Sequence, residues 1–294
     1  MKNKILLVVV VLLIPFVVIS FYHKKTNFYL DQKVDKKEVI NNIFLKDKNE
    51  YIDLNDYVIG VVAAEMPALF EIEALKAQAV VARTFALYQM EHKGFVTLTD
   101  QAYITPQDMK EKWQEDYNKY YSKIKSAVDA TGNICIRYNH ELIKSYYFAV
   151  SNGSTEDSMN VFGESYDYLI PVESTLDINT TKYLSEVVVD LHDFKNKLGV
   201  DNLNDIHTLK DTQNYVKTLV INNHQFTGIE IRKHFNLKSA SFDLELKDNK
   251  IIFTCYGYGH GVGMSQYGAN ELAKIGYTYQ DIINHYYQNV EISE

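Results

Sequence analysis

The sequence is poor in the residues that mark several common protein classes. It has only two cysteines, Cys135 and Cys255, with no Cys-x-x-Cys or Cys/His pairing, which argues against a metal site built on thiols. Basic residues (30) are outnumbered by acidic residues (38), and the formal net charge of −8 argues against nucleic acid as a partner. Internal repeats and low-complexity tracts are also lacking. Each cysteine lies in an apolar run, so two buried free thiols are expected, although a disulfide is the alternative.

The longest apolar run lies at the N-terminus. It covers Ile5–Ser20 and, extended to Tyr22, has about 18 residues, which is roughly 27 Å of helix and enough to cross a bilayer. No small-residue cleavage site follows it, so residues 1–22 are predicted to be an uncleaved membrane anchor. Two lysines precede the run and two follow it, so charge does not settle its orientation. Residues 23–50 are predicted to be a polar tether, and residues 51–294 the folded domain.

Helices and hairpins alternate irregularly after residue 51, without regular βαβ units, which predicts an α+β fold. A single large mixed domain is expected, with two lobes around a groove as the alternative arrangement. Strands are predicted at 133–138, 141–150 and 166–177, and a hairpin pairs Phe242–Leu246 with Ile251–Cys255. Aromatic residues at helical spacing within 113–121 are more typical of core packing than of a sugar-binding platform.

A carboxyl at the end of a short buried helix is the first candidate for chemistry. The helix is predicted to begin after Asn55 as N-cap and to end at Glu65, because Pro67 disfavours helical geometry at Met66. The negative end of the helix dipole and the apolar neighbours should both raise the pKa of Glu65. A carboxyl protonated near neutral pH is suited to be a general acid. A solvated carboxylate at the helix end is the alternative.

A second helix follows at once. The run Glu73–Ala86 is rich in Ala and contains no Gly or Pro, so its intrinsic helix propensity is high. Lys76 and Arg83 are seven residues apart and therefore share one face, two turns from each other. Contact of either with Glu65 would lower the pKa that an acid role needs raised. We therefore interpret both as contacts to a polar or anionic substrate.

Two polar or glycine-rich segments complete the candidate site. Ser151–Ser158 reads SNGSTEDS, and its hydroxyls suit a hydroxyl-rich ligand, although a plain connecting turn is equally consistent. Gly257–Gly263 has glycine at alternate positions, which lets a ligand approach the backbone closely. Its lone histidine, His260, is a poor indicator of zinc. Ser265 is predicted to cap a helix over Gln266–Ile275, whose N-terminus would favour an anion.

Three of these segments resemble motifs of the stage II sporulation protein D family. They are Glu65-Met66-Pro67 with the following EALKAQAVVARTFA, the polar loop from Ser151, and GYGHGVGMSQYGA at Gly257–Ala269. The resemblance covers Tyr51–Ile292. It implies a lytic transglycosylase that acts on peptidoglycan glycan strands, with Glu65 as the catalytic acid and no cofactor. The anion at the helix that Ser265 caps would then be the lactyl carboxylate of N-acetylmuramic acid.

The resemblance also bears on substrate contacts and metal. The expected substrate-binding residues are Lys76, Arg83, Ser151, His260, Gln266 and Tyr267. Some family members bind zinc through a His and a Cys near the polar loop. Here Phe148 and Ser151 stand at those positions, so no metal is expected.

The family implies a biological setting as well. The chain would be anchored in the mother-cell membrane, face the septal wall and act in engulfment during sporulation. Its partners would be glycan strands, an amidase that strips stem peptides, and a membrane protein that holds both enzymes. Related domains also occur in amidase enhancers. A non-catalytic wall-binding partner of an N-acetylmuramoyl-L-alanine amidase is therefore the alternative function.

Overall fold

The computed structural model describes residues 41–294 and is built around a long central helix, which spans Ile72–Lys93. One apolar stripe of this helix is buried at Leu75, Ala79, Ala82 and Ala86, whereas Ile72, its first residue, is only half-buried. The small side chains let neighbouring elements approach the helix closely. Helices from both ends of the described chain and a strand from its middle all pack against it.

The helices and strands follow in an irregular order. The helices are α1 (Leu54–Glu65), α2 (Ile72–Lys93), α3 (Pro106–Trp113), α4 (Tyr117–Thr131), α5 (Ser158–Phe162), α6 (Leu191–Leu198), α7 (Gly228–Phe235), α8 (Gln266–Lys274) and α9 (Tyr279–Tyr286). The strands are β1 (Asn42–Leu45), β2 (Glu50–Asp53), β3 (Cys135–Tyr138), β4 (Glu141–Leu142), β5 (Tyr147–Phe148), β6 (Leu184–Asp190), β7 (Ile206–Lys210), β8 (Val216–Ile221), β9 (His224–Thr227), β10 (Phe242–Lys247), β11 (Lys250–Tyr256), β12 (Met264–Ser265) and β13 (Glu291–Ser293). This mixture confirms the α+β prediction.

The strands form small sheets that bring distant parts of the chain together. The sheet orders are β1-β2, β13-β3-β4, β10-β11-β6 and β7-β8-β9, all antiparallel, and β12-β5 is a parallel pair. In the parallel pair, Met264 lies beside Tyr147 and Ser265 beside Phe148. This pairing joins the end of the glycine-rich segment to the strand that precedes the polar loop.

A separate hydrophobic cluster lies within residues 184–256. Helices α6 and α7 cover the β10-β11-β6 and β7-β8-β9 sheets there, where the Phe194 ring stacks on Phe235 and the Phe253 ring packs at a tilt against both. Asn42–Glu294 nevertheless form one compact unit. The prediction of a single mixed domain agrees with this organisation.

Several predicted boundaries change. The folded unit begins by Asn42 rather than at residue 51, because Ile43 of β1 is fully buried. The N-cap of α1 is Asp53, whose carboxylate accepts the Asn55 and Asp56 N–H groups. No strand forms over 166–177, where the backbone instead turns into a 3₁₀ helix.

Two interpretations of helical segments were also incomplete. The aromatic residues of 113–121 lie on α3 and α4 and are half-buried rather than in the core. The Trp113 ring packs edge-on against Tyr120, and the Tyr117 ring stacks on Tyr121. Helix α7 is absent from the sequence prediction altogether. The predicted anchor, residues 1–22, lies outside the described residues, and within 41–294 no helix is both long and apolar enough to span a bilayer.

Candidate active site

Glu65 is the last residue of α1 and lines an open cleft of about 410 Å³. Helix α1 ends there because Met66, before Pro67, is extended (φ −113°, ψ 145°). The cleft is lined by side chains from α2, the segment after it, β5 and the glycine-rich segment: Phe85, Gln89, Lys93, Thr99, Asp100, Lys144, Tyr146, Tyr147, Phe162 and His260. Burial raises the pKa of Glu65 above its ordinary value.

Hydrogen bonds from neighbouring groups fix the position of the Glu65 carboxyl. Its Oε1 accepts the Ala102 N–H at 2.9 Å and the Tyr147 hydroxyl at 3.4 Å. The buried amide of Gln266 also lies close to the carboxyl, but its Nε2 makes no hydrogen bond with any of residues 41–294. These donors lower the pKa of Glu65, but burial outweighs them. The carboxyl is therefore both fixed in position and biased toward its protonated form.

The network continues into the core through Gln101. Its amide nitrogen donates to the Tyr147 hydroxyl at 3.3 Å, and its amide oxygen accepts the Tyr57 hydroxyl at 3.2 Å. Burial raises the pKa of both tyrosines, so both stay protonated and can donate. The chain of hydrogen bonds fixes the Tyr147 hydroxyl that points at Glu65.

Gly60 lets the segment carrying Ala102 reach helix α1. A Cβ on Gly60 would lie 2.2 Å from Cε2 of Tyr103 and 2.8 Å from the carbonyl oxygen of Ile104. The Tyr103 ring stacks on Tyr57 with centroids 5.5 Å apart, and the Ile104 N–H donates to the Gly60 carbonyl at 3.3 Å. Only a residue without a side chain permits this contact. Ala102 is thereby placed within hydrogen-bonding distance of Glu65.

Asp100 is a second carboxylate in the cleft, and the sequence interpretation missed it. Burial alone would raise its pKa, but hydrogen bonds from the Thr97 hydroxyl and N–H and the ammonium of Lys93 lower it overall. Glu65 and Asp100 thus share a cleft with their pKa values shifted in opposite directions. Asp56 and Glu71, the carboxylates close to Glu65 in sequence, are exposed and do not line the cleft.

His260 lies in the cleft wall among aromatic rings. Its ring is 5.3 Å from Phe162, 5.7 Å from Phe148 and 6.0 Å from Tyr146, measured between centroids. Its Nδ1 accepts the Val262 N–H at 3.1 Å, so the proton of the neutral ring is on Nε2. Burial and the nearby Arg232 lower its pKa to about 4, although a backbone hydrogen bond at Tyr147 opposes them. His260 is therefore neutral at physiological pH.

Gly263 permits the close packing of the glycine-rich segment against the strand behind it. Its φ is +81°, and a Cβ there would lie 1.9 Å from the carbonyl oxygen of Tyr146. The sequence predicts the close approach of a ligand to this glycine, but at Gly263 the group that approaches is the protein's own backbone.

Arg83 does not face the cleft, which corrects its interpretation as a substrate contact. Its side chain is fully buried, and its guanidinium donates to the carbonyl oxygens of Ile134 and Val128 and to the Thr131 hydroxyl, at 3.1, 3.4 and 3.2 Å. These groups close the C-terminal end of α4 and the approach to β3. Burial lowers its pKa to about 10, so it remains charged. Arg83 is a structural residue in this fold.

Lys76 is also absent from the cleft lining. Its ammonium pairs with Glu73 at 2.7 Å, and the other oxygen of Glu73 accepts the Tyr279 N–H at the start of α9. The predicted pairing of Lys76 and Arg83 along one groove is therefore wrong, because Lys76 pairs with Glu73 on α2 itself and Arg83 is in the core.

Ser151 belongs to a buried network rather than to the cleft. Its hydroxyl and N–H donate to Oδ2 of Asp177 at 2.6 and 3.2 Å, and the hydroxyls of Ser174 and Ser265 donate to the same carboxylate. Burial raises the pKa of Asp177, against which the hydroxyl donors act. The network ties the polar loop to the start of α8.

The N-terminus of α8 also does not have its expected role as an anion site. The Ser265 hydroxyl caps the helix at Gly268 N, as predicted, but the Tyr267 N–H donates to the Ala149 carbonyl at 3.0 Å. These N–H groups are satisfied within the protein and do not bind an anion. The Tyr267 ring packs edge-on against Phe70, outside the residues that line the cleft.

Within residues 41–294, no three His, Cys, Asp or Glu side chains are grouped as a metal ion would require. Phe148, at the position of a family zinc ligand, is buried beside His260. Cys135 and Cys255 are both buried and free, as the sequence predicts. Burial raises the pKa of each thiol, so neither is an activated nucleophile.

Comparison with known proteins agrees with the motifs around this cleft. A family model described as stage II sporulation protein matches residues 46–138. Stage II sporulation protein D of Bacillus amyloliquefaciens is 40% identical over 260 residues, covering 83% of this chain and 75% of that protein. The protein of the same name from Bacillus subtilis strain 168 is 39% identical, over 83% and 76% of the two chains. An amidase enhancer of Bacillus subtilis strain 168 is 28% identical over 80% of this chain and 40% of its own length. The chain therefore belongs to the stage II sporulation protein D family.

Proposed function

We propose that this protein is a peptidoglycan lytic transglycosylase in which Glu65 is the catalytic acid. The observation that carries the proposal is the position of Glu65, a carboxyl with a raised pKa that accepts two hydrogen bonds at the wall of an open cleft. Asp177 also has a raised pKa, but serine hydroxyls enclose it in a buried network, whereas Glu65 lines the cleft. A group with these properties is able to donate a proton near neutral pH.

The reaction needs one proton donor that later accepts a proton. Glu65 protonates the oxygen between N-acetylmuramic acid and N-acetylglucosamine, and the bond to C1 of the muramic acid breaks with oxocarbenium character. The C6 hydroxyl of the same sugar then attacks C1, and the Glu65 carboxylate takes its proton. The product is a 1,6-anhydro end, no water is consumed, and Glu65 returns to its starting state.

The surroundings of Glu65 support both halves of this cycle. Burial favours the neutral acid before cleavage, whereas the Ala102 and Tyr147 donors stabilise the carboxylate that exists between the two proton transfers. The lowered pKa of Asp100 keeps that carboxyl ionised, so the cleft keeps a negative charge when the cationic centre forms. Lys93 offsets part of that charge, at 3.2 Å from Asp100.

Glu65→Gln tests the assignment because it keeps the size and removes the acid. The variant should fold normally and lose cleavage of purified glycan strands. Glu71→Gln removes an exposed carboxyl six residues away, outside the cleft, and should retain full activity. Mass spectra of wild-type digests should show products lighter by one water than those of a muramidase. Near wild-type cleavage by Glu65→Gln would refute the acid role, and reducing ends as the main product would indicate a hydrolase.

The setting is proposed on family membership. An anchor in residues 1–22 would hold the domain outside the cytoplasm, at the mother-cell membrane facing the septal wall. The proposed partners are an amidase that removes stem peptides and a membrane protein that holds both enzymes. Cell fractionation with protease protection of the domain would test the anchor and its orientation.

The amidase enhancer relative supports a second candidate, a non-catalytic partner of an amidase. Binding alone does not need a carboxyl with a raised pKa, so the Glu65 environment favours catalysis. The full-length protein should cleave peptide-free glycan without any partner. If it leaves that glycan intact but accelerates a purified amidase on whole peptidoglycan, the enhancer function is correct.

A further inference from the structure

A second cavity, of about 470 Å³, lies beside the Glu65 cleft. His260 lines both spaces, and the short helix α5 separates them, with Phe162 in the cleft and Asn160 in the second cavity. Its far wall is formed by α7 and the start of β8. The two spaces therefore adjoin each other at His260.

Arg232 on α7 gives this cavity its charge. The guanidinium lines the cavity and is half-buried, yet it makes no ion pair or hydrogen bond with any of residues 41–294. The groups that act on its pKa are burial, which lowers it, and two tyrosines and a thiol, with no carboxylate among them. A guanidinium removed from water without a partner is costly, and an anionic ligand would relieve that cost.

The other charges in the cavity are already satisfied. The ammonium of Lys217 lies 3.9 Å from Glu156 and 3.5 Å from Asp211, so two carboxylates share it. Glu156 itself accepts the Asp157 N–H at 2.8 Å and the Asn160 amide at 2.9 Å. Arg232 therefore carries the uncompensated positive charge. Met159 and Ile229, both exposed, add apolar surface at the rim.

We propose that the Arg232 cavity binds the lactyl carboxylate of an N-acetylmuramic acid residue adjacent to the scissile bond. The proposal rests on the proposed function, since it assigns a specificity residue to that substrate. A planar guanidinium binds a carboxylate with two parallel hydrogen bonds, and the apolar rim suits the lactyl methyl group. The N-terminus of α8, where the sequence places this anion, is occupied by internal hydrogen bonds.

The proposal gives a chemical reason for acting on bare glycan. In intact peptidoglycan the lactyl group is linked to the stem peptide as a neutral amide. Hydrolysis of that amide adds one water, releases the peptide amine and leaves the carboxylate. Arg232 thus recognises the product of an amidase-type reaction, so that reaction must come before this one.

A pair of tetrasaccharides tests this without any change in the cavity. Both contain alternating N-acetylglucosamine and N-acetylmuramic acid, one with free lactyl carboxylates and one with methylamides in their place. Binding is measured by calorimetry to the full-length Glu65→Gln protein, which should not cleave the ligands. We expect at least tenfold tighter binding of the carboxylate form, a factor that corresponds to about 1.4 kcal/mol. Equal affinities would overturn the proposal.

Variants then assign the preference to one residue. Arg232→Gln should equalise the two affinities, and Arg232→Lys should keep part of the preference because its charge remains. Lys233→Gln removes the same charge from the next, exposed position of α7 and should keep the full preference. An undiminished preference in folded Arg232→Gln would overturn the assignment.

A third ligand separates two sources of carboxylate. The tetrasaccharide that retains its stem peptides has peptide carboxylates but no lactyl carboxylate. Arg232-dependent binding of this ligand at the affinity of the bare glycan would overturn the lactyl assignment. Failure of the proposed function has a different signature: the wild-type protein would then cleave neither glycan, whatever the binding preference.

Discussion

Replacing Gly60 by Ala should damage the site through the backbone, although the same change stabilises an ordinary helix interior by about 1 kcal/mol. The new Cβ would be 2.2 Å from the Tyr103 ring and 2.8 Å from the Ile104 carbonyl oxygen, so residues 102–104 must move away from α1. Overpacking of this kind costs about 1–3 kcal/mol. The movement also stretches the 2.9 Å hydrogen bond from Ala102 to Glu65.

The effect on activity has a distinct pH signature. The Ala102 N–H lowers the pKa of Glu65, so its loss leaves that pKa higher than in the wild type. The alkaline limb of the pH–rate profile should therefore move to higher pH. The maximal rate should fall about tenfold or more, because a hydrogen bond to a charged group contributes about 1.5–3 kcal/mol and each 1.4 kcal/mol is a factor of ten. Cleavage of peptide-free glycan between pH 4 and 9 measures both quantities.

Gly94→Ala is the matched control. Gly94 ends α2 with φ +77°, and its surroundings hold nothing within 4 Å of an added Cβ. The variant should lose about 1–2 kcal/mol of stability through backbone strain but keep the wild-type pH profile. If Gly60→Ala is instead more stable than the wild type and equally active at every pH, the contact between Tyr103 and α1 does not position Glu65.

Four further outcomes are expected. Wild-type activity should fall as the pH rises through the raised pKa of Glu65, because the acid form is lost. Because the pKa is raised, the folded state holds this proton more tightly than the unfolded chain, and Glu65 therefore lowers the stability of the fold at pH values above its unfolded pKa. Glu65→Gln should consequently have a higher Tm than the wild type at pH 7 and the same Tm at pH 3. Arg83→Met should cost about 1–3 kcal/mol of unfolding free energy in denaturant titrations, because the Ile134 and Val128 carbonyls lose a donor, while the kcat of the folded protein is unchanged. Chelator should leave cleavage unaltered, and activity lost to chelator and restored by zinc would contradict the metal-free expectation.

The segment around Glu65 could be predicted from sequence because local rules govern it. Pro67 fixes the end of α1, so the carboxyl comes at a helix end whatever packs around it. The Ala-rich run forms α2, and Ser265 caps α8. Gly276 follows soon after the last turn of α8. The hairpin of β10 and β11 was predicted for the same reason, since turn residues lie between two alternating runs.

Asp100 was beyond the reach of these rules because only tertiary structure brings it to Glu65. Nothing in its local sequence indicates a cleft, and its hydrogen bonds to Thr97 are those of an ordinary turn. The prediction that Arg83 contacts substrate was wrong even though the local rule behind it held. A lysine and an arginine seven residues apart do share a helix face, but α2 is enclosed by other elements along most of its length. Helical spacing predicts which residues share a face of the helix, but it does not predict which other elements pack against that face.

The opposite pKa shifts of Glu65 and Asp100 follow from how each carboxyl is held. Asp100 has a nearby ammonium and local donors from Thr97, which together stabilise its charge. Glu65 has donors, but no cation among residues 41–294 acts on its pKa, and Arg83, the nearest arginine in sequence, is directed into the core. Had Arg83 faced the cleft as first interpreted, it would have lowered the pKa of Glu65. Its burial therefore strengthens the case that Glu65 is the acid, even as it removes Arg83 from the substrate contacts.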